Sequence, residues 1–458
     1  MKPAAGLSSY SQSYRTERQG GSQYYSRYLL LILMVFISLG IVSAENPENS
    51  LNDVGQLSSN ESIVIDDSNF NSYFDDEGYI ANSNIEENSI LYLADIHNKS
   101  IVLDIPLTLT SYNASCVLYN TSITVLADGS GSHIKNLNFN FSLGENRSTP
   151  IYLDESCDNV LENNVISMDY NDNSYYNVCA LYLGGGCENN LISFNRIVIS
   201  SKSSSKHYVY GIQVSASPMG VFTSSYNPVN NTIQSNMIDI ESSHYASAIY
   251  MASTIETGVF DNDIVIDSSA FAYGIVCEYN PLSHVTLPSH DIRIANNTIT
   301  ATSSMIYIIE IYDCYDVRIM SNEINGRGNA TYGICGYRSH DNIVSDNVLY
   351  VNSSDISLVR DNFDAMGSGH GGIFYKMNSY NINITDNRIL SYYKIGGDYS
   401  IICDDSCHDV LICGNALTSN NNTYHGNDSI LAIGDIYNNT YFSIDFVNIT
   451  DYTIVTLY

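Results

Sequence analysis

Residues 314–324 read CYDVRIMSNEI, and residues 289–299, one repeat earlier, read SHDIRIANNTI. In both stretches branched aliphatic residues alternate with polar ones, which is typical of a β-strand with one buried face. In each stretch an asparagine (Asn322 or Asn297) follows one aliphatic position by three residues and precedes the next by two. An amphipathic helix needs apolar residues at spacings of three and four, and that pattern is missing. The stretches therefore predict short strands joined at an asparagine.

The pattern is an internal repeat. Nine segments align without gaps around the asparagine, and consecutive asparagines are about 25 to 41 residues apart. These anchors are Asn164, Asn195, Asn236, Asn262, Asn297, Asn322, Asn347, Asn387 and Asn415. If each repeat is one coil with loops of variable length at its corners, like residues stack along the axis at roughly 4.8 Å. The sequence therefore predicts an all-β fold, a right-handed parallel β-helix lined by aliphatic columns.

Two polar columns accompany the aliphatic ones. We expect the anchors to be turn residues, because asparagine tolerates left-handed backbone geometry and stacked amides bond to one another. A second column, six residues earlier, is acidic or amide: Asp158, Asn189, Asn230, Glu256, Asp291, Asp316, Asp341, Asn381 and Asp409. Stacked oxygen ligands suit calcium, but side chains of this kind ordinarily cap turns. We favour turn caps and expect no metal and no cofactor.

The ten cysteines fit the repeat as small residues. Eight residues before the anchor, Cys187, Cys314 and Cys407 occupy a column that elsewhere holds mostly Ser or Thr. Cysteines of this column are not on adjacent repeats, so they cannot pair along it. We expect most cysteines to be buried and unpaired, with a possible exception among Cys403, Cys407 and Cys413. No pair of Cys-x-x-Cys motifs is present, so zinc is not expected.

The N-terminus is typical of an export signal. Residues 1–27 are basic, residues 28–42 (YLLLILMVFISLGIV) are apolar, and Val42-Ser43-Ala44 has small residues where signal peptidase cleaves. Cleavage after Ala44 and retention as a membrane anchor helix are both open. We predict an export segment at 1–44, a polar linker at 45–60, an N-terminal cap and first coil at 61–110, repeats at 111–420 and terminal cap strands at 421–458. Dense Asn-x-Ser/Thr sequons, such as those at Asn98 and Asn113, agree with an exported glycoprotein.

Charge excludes one class of function. Only 18 residues are Lys or Arg, and the formal net charge is −31. Such a surface repels phosphate backbones, so nucleic acid is not an expected partner.

The repeats resemble those of the pectate-lyase-like parallel β-helix superfamily, and above all the adhesin-like surface proteins of methanogenic archaea. The likeness extends to the opening segments SNFNSYFDDEGYI (68–80), SILYLADIHNKSIVLDIPLTLT (89–110) and ITVLADGSGSHIKNLNF (123–139), and covers about residue 60 to the end. It implies the fold more specifically than any activity, since one fold hosts many functions.

The same resemblance raises an enzymatic alternative. Polysaccharide lyases and glycoside hydrolases of the superfamily imply an Asn-Thr-Asp, then Asp-Asp, Gly-His-Gly and Arg-x-Lys. Here a Gly-His-Gly around His370 and the pair Asp404-Asp405 occur in the reverse order, and no Asn-Thr-Asp is present. If the chain is an enzyme, His370, Asp404 and Asp405 are the candidates. Lyases also use a basic residue, and Arg293 and Arg318 share an outward column, although ion pairs with Asp291 and Asp316 explain them more simply.

Tyrosine is the other unusual feature, with 38 residues against no tryptophan. Tyrosines on an extended face can stack against sugar rings while their hydroxyls form hydrogen bonds. The candidates for such a face are Tyr307, Tyr312, Tyr315, Tyr332 and Tyr337. The sequence thus favours a non-catalytic, cell-surface adhesin-like protein that binds glycans or neighbouring cells through its flank. A carbohydrate-active enzyme and a structural envelope component remain alternatives.

Overall fold

The computed structural model describes residues 63–142, 149–170, 177–202, 207–216, 226–279, 287–354, 370–393, 398–403, 406–417, 436–437 and 440–441. These residues form parallel sheets whose neighbouring strands come from successive repeats. Like residues therefore stand opposite one another, as when Ile294 aligns with Ile319. The predicted all-β parallel β-helix is confirmed. The predicted export segment (1–44) and linker (45–60) lie outside the described residues.

Within the part of the chain that the structure describes, one sheet, the short-strand sheet, contains 14 strands. Its strands precede the asparagine anchors in the repeat. They are Ile63–Ile65, Ile90–Leu93, Thr108–Ser111, His133–Lys135, Val160–Glu162, Leu191–Ser193, Thr232–Gln234, Gly258–Phe260, Arg293–Ala295, Arg318–Met320, His340–Ser345, Tyr380–Thr385, His408–Cys413 and Ile436–Tyr437.

A second set of 22 strands forms two parallel ladders, here called the second and third sheets, which join in two coils. Strands of the second sheet follow the anchors: Ile96–His97, Leu118–Tyr119, Asn138–Ser142, Val165–Tyr170, Arg196–Ser201, Met237–Ser242, Asp263–Ser268, Val348–Ser353, Arg388–Tyr393, Ala416–Leu417 and Thr440–Tyr441. The third sheet holds Ser100–Leu103, Ser122–Val125, Ile151–Leu153, Val178–Leu183, Tyr208–Ser215, Tyr245–Ala252, Phe271–Glu278, His370–Lys376 and Asp398–Cys403. Two long strands, Thr298–Tyr312 and Glu323–Tyr337, run through both.

The core is the stack of aliphatic columns that the repeat predicts. Every residue of the two columns that flank the anchors is fully buried, from Leu161 to Ile412 before the anchors and from Ile166 to Leu417 after them. Burial of apolar surface, at roughly 25 cal/mol per Å², is the main stabilising term for such a coil. At the N-terminal end, the 3₁₀ turn Phe70–Ser72 and Phe74 add a stacked aromatic pair to this core, with ring centroids 4.9 Å apart. A second 3₁₀ turn spans Ala127–Gly129.

The anchors form a continuous asparagine ladder. All nine are at most 1% exposed. In each of the first eight, Nδ2 donates to the Oδ1 of the anchor one coil further on, at 2.9–3.0 Å, and the last bond ends on Asn415. The amide stacking is therefore as predicted, but the left-handed backbone geometry is not at the anchor. The residue before it adopts positive φ, as in Asn296 (58°) and Ser321 (56°).

The acidic and amide column supplies the second turn of each coil. All nine residues have φ between 51° and 57°. Asp and Asn adopt this left-handed region more readily than most residues, which explains the composition of the column. The turn role is as predicted, although side chains here bond to neighbours in the column (Asn230 Nδ2 donates to Asn189 Oδ1 at 2.7 Å) or to an adjacent histidine.

The cysteines are mostly buried, as predicted. Eight of the ten are buried, and only Cys157 and Cys413 are partly exposed. No disulfide links them. Within the described ranges, no helix is long and apolar enough to cross a membrane.

Candidate functional site

The outer side of the third sheet carries a set of aromatic side chains, here called the aromatic face: Tyr208, Tyr210, Tyr245, Tyr250, Phe271, Tyr273 and Tyr307. They point outward because the residues that alternate with them, such as Val209 and Ala272, are at most 1% exposed in the core. Parallel in-register pairing places them side by side, with Tyr208 beside Tyr245 and Tyr245 beside Phe271.

The rings of the aromatic face stack along the helix axis. Ring centroids are 4.7 Å apart for Tyr208 and Tyr245 and 4.9 Å apart for Tyr245 and Phe271. A second row runs through Tyr273, Tyr307 and Tyr332, with centroids 5.4 and 4.9 Å apart and planes within 10°. The strand spacing of a parallel sheet imposes these distances, which suit stacked rings.

Access to the aromatic face changes along the axis. Tyr208 is 43% exposed, and Tyr245, Phe271 and Tyr273 are half-buried, whereas Tyr307 is only 5% exposed. The surface that a ligand can reach therefore lies over the three coils that contain the strands Tyr208–Ser215, Tyr245–Ala252 and Phe271–Glu278.

Two glutamates belong to the same outer side. Glu278 aligns with Tyr312, and Glu310 aligns with Val276, so the two carboxyl groups are diagonal neighbours on adjacent strands. The hydroxyl of Tyr250 donates to Oε1 of Glu278. Both residues are partly buried, and their neighbours Cys277, Ile309 and Ile311 are fully buried.

Burial shifts the protonation of these glutamates. Desolvation, together with the charge of nearby Glu278, raises the pKa of Glu310 from its ordinary 4.5 to about 8. Desolvation also raises the pKa of Glu278, and the hydrogen bond from Tyr250 partly offsets that rise. At neutral pH Glu310 is therefore mainly a neutral carboxylic acid, which can donate as well as accept a hydrogen bond.

Half-buried aromatic rings beside a few hydrogen-bonding groups have the chemistry needed to hold a sugar. Rings of this kind can stack against the apolar face of a pyranose, while hydroxyl and carboxyl groups can form hydrogen bonds with its hydroxyls. Neither glutamate and none of the exposed rings was among the residues predicted from the sequence. Their signal was weak, because each glutamate is one polar residue within an apolar strand (IVCEY and IIEIY).

The five predicted tyrosines do not form one surface. Tyr307, Tyr332 and Tyr337 are 5%, 4% and 1% exposed and belong to the hydrophobic core cluster, so they cannot stack against a ligand. Tyr312 is half-buried, with the guanidinium of Arg338 4.5 Å from its ring centroid. These three residues lie in the two long strands, Thr298–Tyr312 and Glu323–Tyr337, where their side chains are buried.

Tyr315, the fifth predicted tyrosine, lies at the edge of the short-strand sheet in a separate ring ladder. The ladder contains His290, Tyr315, His340, Tyr380 and His408, with centroids 4.6–5.2 Å apart. Nδ1 of each histidine lies 2.7–2.8 Å from the carboxylate of the aspartate that follows it. Neighbouring rings occupy the ring faces inside this ladder, so mainly edges are available to a ligand.

The structure describes only part of the set of residues predicted for an enzyme. His370 is the first residue of the strand His370–Lys376, where its backbone aligns with Asp398. Asp404 and Asp405 lie outside the described residues. In the part of the chain that the structure covers, no three His, Cys, Asp or Glu side chains are grouped to hold a metal ion.

Arg293 and Arg318 line a shallow depression of about 360 Å³ on the short-strand sheet, together with Gly258, Phe260 and the acidic column. Both arginines are exposed. The expected ion pairs with Asp291 and Asp316 do not form: among the described residues, no carboxylate oxygen lies within 4.0 Å of either guanidinium. An ion pair between exposed side chains contributes little to the free energy of folding, so its absence costs the protein little stability.

Comparison with known proteins gives structural likenesses only. No protein-family model and no curated protein matches the chain. The A-module of mannuronan C-5 epimerase AlgE6 from Azotobacter vinelandii matches with TM-score 0.44 and 12% identity, covering 79% of this chain and 92% of that one. The Streptococcus pneumoniae surface protein and adhesin PfbA matches with TM-score 0.39 and 13% identity, covering 68% and 91%. A PL6 alginate lyase matches with TM-score 0.35 and 12% identity, covering 86% and 91%. Likenesses this distant do not indicate what this chain binds.

Proposed function

We propose that this protein is an exported, cell-surface β-helix that binds glycans without cleaving them, and that the glycan lies on the aromatic face. The observation that carries the proposal is the row of half-buried rings from Tyr208 through Tyr245 to Phe271, next to the hydrogen-bonding pair Tyr250 and Glu278. Such a row extends along the helix axis, as an extended polysaccharide would.

Charge favours a neutral glycan. The chain has a net charge of −31, and Glu278 and Glu310 lie beside the rings. A polyanion would meet repulsion over the whole molecule and locally at Glu278. A neutral chain meets none, and protonated Glu310 adds a donor for one of its hydroxyls.

Export is supported by the sequence. The basic residues 1–27, the apolar run 28–42 and the small residues before Glu45 form a signal, and the sequons agree with passage through a compartment that glycosylates. Retention of the apolar run would tether the protein to a membrane, and cleavage after Ala44 would release it.

Retention in gels that contain a dissolved neutral polysaccharide tests the proposal. We expect the full chain to be slowed by at least one of a panel of β-glucan, mannan and galactan. Replacing both Tyr245 and Phe271 by Ala should weaken that retention about 30-fold, since each stacking ring contributes on the order of 1 kcal/mol. The matched control is Tyr380→Ala, a 36% exposed ring on the short-strand sheet. Unchanged retention of the double variant, or equal loss in the control, would contradict the proposal.

One observation favours a second candidate, a glycoside hydrolase. Glu278 and Glu310 are two neighbouring carboxyl groups with unequal environments, and enzymes of that class use one acidic and one ionised carboxyl group. To distinguish the binding protein from the hydrolase, the protein is incubated with the polysaccharide that retains it in the gel, and the length of the polysaccharide chains is then measured. We expect intact chains. If the native protein shortens the polysaccharide and Glu310→Gln does not, the protein is a hydrolase and the non-catalytic proposal is wrong. If no polysaccharide retains the protein, a structural role in the envelope is favoured instead.

A further inference from the structure

We propose that Cys277 and Cys314 form a disulfide in the exported protein, a modification that cross-links two adjacent coils behind Glu278 and Glu310. The two sulfur atoms are 3.6 Å apart, although the residues are 37 positions apart in the sequence. The structure holds them as thiols and places their sulfurs in contact.

The surroundings hold both residues in place. Cys277 is 0% exposed and Cys314 is 1% exposed. Cys277 occupies the strand Phe271–Glu278, aligned with Ile311, while Cys314 follows the end of the strand Thr298–Tyr312. The thiol of Cys314 points at the carbonyl oxygens of Cys277 and Tyr312, each 3.2 Å away. Both backbones are therefore fixed, and only the side chains need to move.

Bond formation requires a small rearrangement. A disulfide has its sulfurs about 2.05 Å apart, so the gap must close by about 1.6 Å, within the reach of rotation about the two Cα–Cβ bonds. Each thiol loses its proton, and the pair loses two electrons to an external disulfide, which is reduced to two thiols. Serine in place of Cys314, as in the neighbouring coils at Ser289 and Ser339, would fill the same space without this chemistry.

The bond forms while the chain is folding. In the folded protein, burial and the neighbouring thiol raise the pKa of Cys314 well above its ordinary value, so little reactive thiolate is present. During export the thiols are still accessible and an oxidising compartment supplies the disulfide. Once formed, the bond is shielded by the same burial.

Peptide mapping of the full chain, secreted from an oxidising compartment and alkylated in denaturant without reductant, tests the proposal. We expect one cross-linked peptide pair that contains Cys277 and Cys314 and separates on reduction. Alkyl labels on both residues would overturn the proposal. Because the peptide map uses the native sequence, it tests for the disulfide even if a cysteine variant fails to fold.

Variants add a second readout. Reductant added in denaturant and kept through refolding should lower the melting temperature of the native sequence by several degrees, because the unfolded chain is then no longer restricted by the cross-link. The same treatment should leave the melting temperature of Cys277→Ser unchanged. It should still lower the melting temperature of the control Cys335→Ser, which removes another fully buried thiol. Equal responses of the native protein and Cys277→Ser would contradict the cross-link.

Discussion

In this fold the type and protonation of a single residue depend on two things: whether it lies at a turn of the coil, and which groups surround it on the outer side of the coil. Glu310 shows the second effect, since it lies in the stretch 306–312, whose other residues are all Ile or Tyr. Its carboxyl group keeps its proton at neutral pH because burial disfavours the charged form. The consequence can be measured as a pH dependence of folding.

The stability contributed by protonated Glu310 should fall as pH rises. The pKa is about 8 in the folded chain against an ordinary 4.5, so the folded state binds the extra proton between these values. The contribution is complete below pH 4.5 and is lost as pH rises through about 8. Urea unfolding should show that the stability of the native protein relative to Glu310→Gln declines over this range.

Glu323→Gln, at an exposed site on the next coil, is the matched control and should show no such decline. A difference between native protein and Glu310→Gln that is constant from about pH 4.5 to about pH 8 would refute the assigned protonation.

At the scale of elements, the short strands are held in register by the asparagine ladder between them. Asn297 illustrates how many hydrogen bonds each asparagine of this ladder forms. Its Nδ2 donates to Val259 O, Ala295 O and Asn322 Oδ1 at 3.0–3.1 Å. Its Oδ1 accepts from the backbone and side chain of Asn262 at 3.0 and 2.9 Å. No other side chain of this size combines two donors and an acceptor in this way.

Asn297→Ala should destabilise the protein by about 3 kcal/mol, because it leaves buried partners on two coils without hydrogen bonds. Thr298→Ala changes the adjacent, exposed residue and should cost less than about 0.5 kcal/mol. Urea denaturation followed by circular dichroism measures both. Equal midpoints for the two variants would mean that the ladder contributes nothing beyond the aliphatic columns.

The sequence predicted the short-strand sheet and the second sheet better than the third. Both flank the anchor at fixed distances, so their columns can be read directly. The third sheet begins at a variable distance: Tyr208 follows Asn195 by 13 residues, whereas Phe271 follows Asn262 by 9. This offset concealed the alignment of Tyr208, Tyr245 and Phe271.

At the scale of the whole molecule, the stacking of coils makes the core predictable from the sequence but leaves the exposure of the outer residues unpredicted. Burial of the aliphatic columns followed from local alternation. Exposure of an outward residue depends on what covers the outer side, which no local pattern records. Tyr307 was therefore predicted as a ligand contact and is buried, whereas Tyr208, one of the more exposed rings, was missed. The helix consequently has two different flanks, one aromatic and one with the histidine–tyrosine ladder.

The most direct test of the central claim is hydroxyl-radical footprinting of the full chain with and without the polysaccharide that retains it. The account predicts that oxidation of Tyr208, which is 43% exposed, falls several-fold in the complex, while Tyr380, 36% exposed on the other flank, is oxidised at the same rate. Protection of Tyr380 with no change at Tyr208 would contradict the assignment of the aromatic face as the glycan-binding surface.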